Sequence, residues 1–264
     1  MTLKNFLYQN CNISYRIYGQ GKPLMLLHGF GENSSIWQKQ ADALKNNYLI
    51  ITPDLPGSGK SAFWQKENVQ MQDYADILNA ILQQEKIEKI ILIGHSMGGY
   101  ITMAFAEKYA ECLTAFGLFN STATADDTEK IATRKKAIEF IQQYGSQPFL
   151  KTIIPGLFMD AGVSEKDMNN LIEQAVHFKQ EALVQYYNAM ITRPDRLQIL
   201  KNATVPILFI IGVHDKVVPF SVIMQQTHLP EKSFIHILQN TAHMGMLEET
   251  GKTNKILADF LESC

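Results

Sequence analysis

Lys89-Ile90-Ile91-Leu92-Ile93-Gly94-His95-Ser96-Met97-Gly98-Gly99 decides the fold of this chain. The apolar run reads as a buried strand, and the serine after it has a glycine two residues to either side, the G-x-S-x-G pattern of a sharp strand-to-helix turn, or nucleophile elbow. A serine at such a turn sits in strained backbone geometry, and a side chain at either flanking glycine would collide with the turn. The result is a hydroxyl lifted clear of its own backbone. Tyr100 to Tyr109 then supplies helix formers with apolar residues at helical spacing, so strand, turn and helix come in the required order.

A serine hydroxyl is a poor nucleophile near neutral pH unless a base takes its proton and a carboxylate orients that base. For a doubly wound hydrolase topology the chain order is serine, acid, histidine, which leaves His177, His214, His228, His236 and His243. His177 and His228 fall in helical stretches, and His236 alternates within the strand Ser233-Phe234-Ile235-His236-Ile237-Leu238. His243 follows that strand in a turn-like segment and is the base expected here. The strand Val205 to Gly212 runs into Val213-His214-Asp215, placing Asp215 just past its end as the orienting acid. His214 is the rival, but sequence neighbours at a strand end point apart. An oxyanion hole needs two backbone N–H groups, one from the residue after the nucleophile, Met97, and one from an earlier strand end. Pro23-Leu24-Met25-Leu26-Leu27 followed by His28-Gly29-Phe30-Gly31 makes Phe30 the expected second donor, with His28 as a structural hydrogen bonder.

With these residues in view the chain resembles the α/β-hydrolase superfamily, in the branch of small cap-bearing serine hydrolases that includes carboxylesterases, enol-lactonases and cofactor-free perhydrolases. The resemblance spans nearly the whole chain. It rests on His28-Gly29-Phe30-Gly31, Asp54-Leu55-Pro56-Gly57-Ser58-Gly59-Lys60-Ser61, the Ser96 turn, Asp215 and His243. Ser96 separates the chain from the haloalkane dehalogenases and epoxide hydrolases of the superfamily, which place Asp there. In menaquinone-pathway relatives an Arg follows the elbow's glycine pair to hold a substrate carboxylate, whereas this chain has Tyr100.

Short strands at about residues 3–9, 12–18, 23–28, 48–53, 89–94, 113–119, 205–212 and 233–239 alternate, after a first hairpin, with helical segments. That rhythm predicts an α/β-hydrolase fold: a mostly parallel eight-stranded sheet flanked by helices. It breaks between residues 121 and 195, where Asp126 to Tyr144, Gln147 to Met159, Ser164 to His177 and Phe178 to Thr192 read as helices. The expected organisation is a core of residues 1–120 and 196–264, with 121–195 inserted after the sixth strand as a helical cap. Among the cap's aromatic and sulfur-bearing residues, Phe158 and Met159 are candidates for bounding a substrate pocket.

Two phosphate-binding look-alikes fail. Gly59-Lys60-Ser61 lacks the glycine that a P-loop needs, since Asp54 stands there. Gly57-Ser58-Gly59-Lys60-Ser61-Ala62 is cut off from its strand by Pro53 and Pro56, where a dinucleotide fingerprint requires an immediate turn. The reading therefore calls for no cofactor and no metal. Lys and Arg total 24 against 26 acidic residues, so nucleic acid is not an expected partner. Arg134-Lys135-Lys136, the densest basic stretch, reads as a solvated helix face. Three widely spaced cysteines, no apolar leader and no membrane-length apolar run fit a reduced, cytoplasmic protein away from the membrane.

The function expected from these residues is hydrolysis of a small carboxylic ester, lactone or thioester through an acyl-enzyme on Ser96. C–C bond hydrolysis or perhydrolysis would use the same groups. A slow or non-catalytic ligand receptor on the same fold is the alternative from another class. The partner in each case is a small molecule, and oligomeric state is not legible.

Overall fold

The computed structural model describes all residues except Ala161 and Val163. The eight strands are β1 (Thr2–Tyr8), β2 (Cys11–Tyr18), β3 (Lys22–Leu27), β4 (Tyr48–Pro53), β5 (Ile90–His95), β6 (Leu113–Phe119), β7 (Ile207–Gly212) and β8 (Ser233–Leu238). They form one sheet in the order β1-β2-β4-β3-β5-β6-β7-β8. β1 pairs antiparallel with β2 and β2 with β4, and every later pairing is parallel. This is the α/β hydrolase fold.

Parallel strands covered on both faces read as continuous apolar runs, and β5 and β7, Ile-Ile-Leu-Ile-Gly-His and Ile-Leu-Phe-Ile-Ile-Gly, are buried at every position. The helices flanking the sheet are α1 (Gln38–Leu44), α2 (Met71–Glu85) and α3 (Met97–Lys108), with α8 (Leu197–Asn202), α9 (Phe220–Met224), α10 (Gly245–Glu248) and α11 (Thr250–Ser263) after the insertion. α3 is buried from Met97 through Ala106, so its sequence is apolar almost all round instead of striped. Because β3, β5, β7 and β8 run in parallel, their carboxyl ends share one edge of the sheet. There the chain turns into Gly29-Phe30, Ser96, Asp215 and His243.

Between β6 and β7 the chain forms α4 (Thr128–Tyr144), α5 (Ser146–Ile153), α6 (Glu165–Gln174) and α7 (Gln180–Ile191). α4 starts at Thr128 because the Asp127 side chain caps it, accepting from the Lys130 amide at 2.7 Å. α5 stops short of the sequence expectation. Pro155 cannot donate to a continuing helix, and residues Ile154–Leu157 tighten into a 3₁₀ turn. Among the described residues no helix is long and apolar enough to cross a membrane.

Candidate active site

Ser96 has φ 51° and ψ −118°, outside the regions where L-residues ordinarily rest. The glycines explain how the turn closes on it. A Cβ at Gly94 would lie 2.2 Å from the Gly98 carbonyl oxygen, and one at Gly98 would lie 2.6 Å from that of Leu27. Ser96 retains 8 % exposure, toward a cavity of about 380 Å³. Phe30, Glu32, Tyr100 and His243 line the cavity from the sheet side; Arg134, Ile153, Leu157, Tyr187 and Met190 line it from the insertion.

His243 and Asp215 meet directly: the imidazole Nδ1 lies 2.7 Å from Asp215 Oδ2. The other oxygen of Asp215 accepts from the amides of Val217 and Val218 at 2.7 and 3.0 Å. Burial opposes ionisation of this carboxyl, but the charge and hydrogen bond of His243 and the two amides outweigh it and hold its pKa below the usual aspartate value. The rival His214 is exposed, as are His177 and His228, and His236 is half-buried on β8. The loop carrying His243 is pinned on both sides, because Glu248 Oε2 accepts from the Ala242 and Met244 amides, each at 3.1 Å. Asn120 at the end of β6 donates to the Ala242 carbonyl and accepts from the Gly212 amide, tying this loop to the end of β7.

Among the described residues, the amides of Phe30 and Met97 donate to no backbone or side-chain acceptor. Met97 opens α3, where the first N–H groups of a helix have no intrahelical partner. Phe30 stacks on Tyr187 with ring centroids 4.2 Å apart. His28 is fully buried and structural: the Leu55 amide donates to Nε2 at 3.0 Å, which leaves the ring proton on Nδ1 for the Gly29 carbonyl at 2.8 Å. Asp54 closes the Pro- and Gly-rich loop by accepting from the Ser34 and Lys60 amides, and Tyr186 of α7 donates to the Pro56 carbonyl.

Three features were not anticipated. The first is the buried pair Glu32 and His95. Glu32 Oε2 accepts from the Gly29 amide at 2.7 Å and lies 3.1 Å from His95 Nδ1, while His95 Nε2 lies 2.9 Å from the His243 carbonyl oxygen. A carbonyl oxygen only accepts, so Nε2 carries a proton. The Glu32 carboxyl, which accepts from the Gly29 amide, faces the other ring nitrogen, an arrangement that favours the imidazolium and carboxylate forms. Burial opposes both charges, yet each partner's charge and hydrogen bond prevail, raising the His95 pKa and lowering that of Glu32. The sequence signal was an acid three residues past the glycine of His28-Gly29, which falls inside a loop and has no periodicity to mark it.

The second is Arg134, which corrects the reading of residues 134–136 as a solvated face. Lys135 and Lys136 are exposed, but Arg134 shares its helix face with Ala137, Ile138 and Ile141 and turns inward, its side chain 11 % exposed. The third concerns the cavity wall. Phe158 is buried and Met159 half exposed, but neither lines the cavity; Ile153 and Leu157 do. Tightening of the chain at Pro155 brings Leu157 to the wall.

A family profile described as the alpha/beta hydrolase fold matches residues 22–144. Over 262 residues the chain is 27 % identical to a 2-hydroxy-6-oxononadienedioate/2-hydroxy-6-oxononatrienedioate hydrolase of Paraburkholderia phymatum, covering 94 % of this chain and 90 % of that one. Its fold superposes on a thermophilic esterase from Thermogutta terrifontis with a TM-score of 0.92 at 22 % identity, over 100 % of this chain and 99 % of the other. It superposes on the enol-lactonase from Burkholderia xenovorans with a TM-score of 0.89 at 20 % identity, over 98 % and 100 %.

Proposed function

We propose that the chain is a member of the alpha/beta-hydrolase superfamily and a serine hydrolase of small carboxylic esters, lactones or thioesters. The observation that carries this reading is the 2.7 Å contact of His243 with Asp215 on the wall of the cavity that Ser96 also lines. In the proposed cycle the His243 imidazole takes the Ser96 proton as Oγ attacks the carbonyl carbon, then returns it to the leaving group; the acyl group stays on Ser96. Asp215 keeps the imidazole proton on Nδ1, which leaves Nε2 free to accept. The Phe30 and Met97 amides stabilise the oxyanion, and their lack of other partners supports that role. Water, activated by His243, then attacks the acyl-enzyme and releases the acid.

Residues 121–195 act as the cap in this reading, with Ile153, Leu157, Tyr187 and Met190 bounding the acyl group. The likeness to the nonadienedioate hydrolase supports a second reading, C–C bond hydrolysis by the same residues. A fluorophosphonate probe tests the serine chemistry: it is expected to label the wild type rapidly at Ser96 and to leave Ser96→Ala unlabelled. Labelling elsewhere, or undiminished ester turnover by folded Ser96→Ala, would overturn the assignment. Comparison of short acyl esters, lactones, thioesters and vinylogous diketones as substrates separates the reaction classes.

A further inference from the structure

We propose that the cavity holds an anion subsite in which the Arg134 guanidinium binds a carboxylate at the far end of the acyl group, so that the preferred substrates are half-esters of dicarboxylic acids. This rests on the reading of Ser96 as the nucleophile. The argument starts from charge. Arg134 Nε and Nη2 lie 2.6 and 3.3 Å from the two oxygens of Asp126, and Arg193 Nη2 lies 2.9 Å from Asp126 Oδ1. Two guanidiniums share one carboxylate. The cluster carries one positive charge in excess.

Among the described residues no carboxylate other than Asp126 pairs with either guanidinium. Glu32, the acid on the cavity wall, faces His95, and the Asp215 carboxylate is committed to the His243 ring and two amides. The adjoining depression adds Asp127 and Glu129 against Lys130 and Lys216, which balance. The side chains of Arg134, Arg193 and Asp126 are 11 %, 3 % and 0 % exposed, so water screens the excess charge poorly.

Geometry selects the ligand. Asp126 engages Arg134 side-on through Nε and Nη2, and a guanidinium held that way still offers its end-on edge, with donors on Nη1 and Nη2 in the spacing of a carboxylate. The plane is held against aromatic rings: Arg134 Cζ lies 5.5 Å from the Tyr187 ring centre, and Arg193 Cζ lies 3.8 Å from that of Tyr100. Tyr100, Tyr187 and Ser96 all line the cavity that Arg134 enters. Between them Ile153, Leu157, Met190 and Val217 present apolar surface suited to the methylenes of a short chain. The reaction leaves the remote carboxylate unchanged: water adds across the ester, the acyl C–O bond breaks, and a dicarboxylic acid and an alcohol leave.

The test compares monomethyl esters of the straight-chain diacids from succinic to suberic with methyl alkanoates of matched length. For the best length, kcat/KM should favour the half-ester by at least about tenfold, and Arg134→Gln should bring that ratio close to one, with Arg134→Lys in between. A structural role alone would lower both substrates together and leave the ratio intact. Because Arg134→Gln could fold poorly, the wild type provides an independent arm. The free diacid should inhibit competitively at about tenfold lower concentration than its monoamide. Equal or better turnover of the neutral ester at every length, with fluorophosphonate labelling of Ser96 retained, would overturn the subsite and leave the serine reading standing. If no ester is turned over and Ser96 does not label, the serine reading fails instead. Calorimetric binding of the diacids, lost in Arg134→Gln, then still decides for the subsite, and its absence decides against it.

Discussion

The carbonyl oxygen of His243 accepts a hydrogen bond from Nε2 of His95 at 2.9 Å, and the two rings lie 4.7 Å apart. The residue before Ser96 thus holds the main chain of the residue proposed to deprotonate it. Through Glu32 the same link reaches the Gly29 amide, beside the Phe30 amide proposed for the oxyanion.

Glu32 is accordingly expected to act as a positioning residue. In Glu32→Gln the carboxylate charge that favours the imidazolium is lost, so His95 becomes neutral. Because the Gly29 amide and His95 Nδ1 both meet the one oxygen Oε2, an amide O or NH₂ in its place can serve only one of the two once His95 is neutral. ¹⁵N NMR should show both His95 ring nitrogens protonated in the wild type across neutral pH and only Nε2 protonated in the variant. Glu32→Ala leaves those donors unmatched and should lower kcat by about 10- to 100-fold with a smaller change in KM. A neutral His95 in the wild-type spectrum would remove the ion pair from the account.

Asp215→Asn should keep the fold, since an amide oxygen can still accept from Val217 and Val218, but its NH₂ group would face His243 Nδ1 and favour the wrong tautomer. A loss in kcat of about three to four orders of magnitude with little change in KM is expected from steady-state ester hydrolysis. A kcat within a few-fold of wild type would direct attention to another carboxylate.

Leu157→Ala and Ile153→Ala enlarge the cavity without touching the backbone, and each should shift the ratio of kcat/KM between longer and shorter acyl esters by about 10- to 200-fold. Phe158→Ala, whose side chain does not line that cavity, should lower thermal stability and leave the ratio alone. Equal shifts from all three would argue against selectivity at this wall.

Asp126 contributes to stability against acid. Burial alone would raise its pKa, but hydrogen bonds and charge from Arg134 and Arg193 depress it below the usual value. A depressed carboxylate contributes stability that is complete above the unfolded value of about 4 and is lost as pH falls through the lower folded value. Asp126→Asn should therefore cost about 3 kcal/mol near neutrality, and the gap in urea-unfolding free energy from wild type should close as pH drops toward 3. A gap independent of pH would mean that the loss is one of packing.

The strands and the mostly parallel sheet were legible because buried parallel strands leave apolar runs, and Ser96, Asp215 and His243 each follow a strand. The order of the strands, with β3 between β4 and β5, was not, since an apolar run reports burial and not which strand lies beside it. The helices of the insertion were legible in kind but not in length, as Pro155 shows. Glu32 and Arg134 were not legible. Each is a charged residue whose burial depends on a partner distant in sequence, His95 for one and Asp126 with Arg193 for the other, and periodicity reports faces, not partners. Phe158 and Leu157 make the same point for the pocket, since Leu157 ends the 3₁₀ turn and Phe158, the extended residue after it, faces another way.

The amide of His243 donates to the carbonyl of Leu157 at 2.9 Å. A loop in the carboxyl-terminal half of the sheet thereby takes part of its register from the inserted helices, and the two regions are joined through main chain, which no side-chain replacement removes. Exchange of the insertion for one from another hydrolase would have to supply a carbonyl at the same point, or leave the His243 amide without its acceptor. Displacement of the turn at Leu157 would break that bond, so the cavity wall at Leu157 and the main chain at His243 share one hydrogen bond.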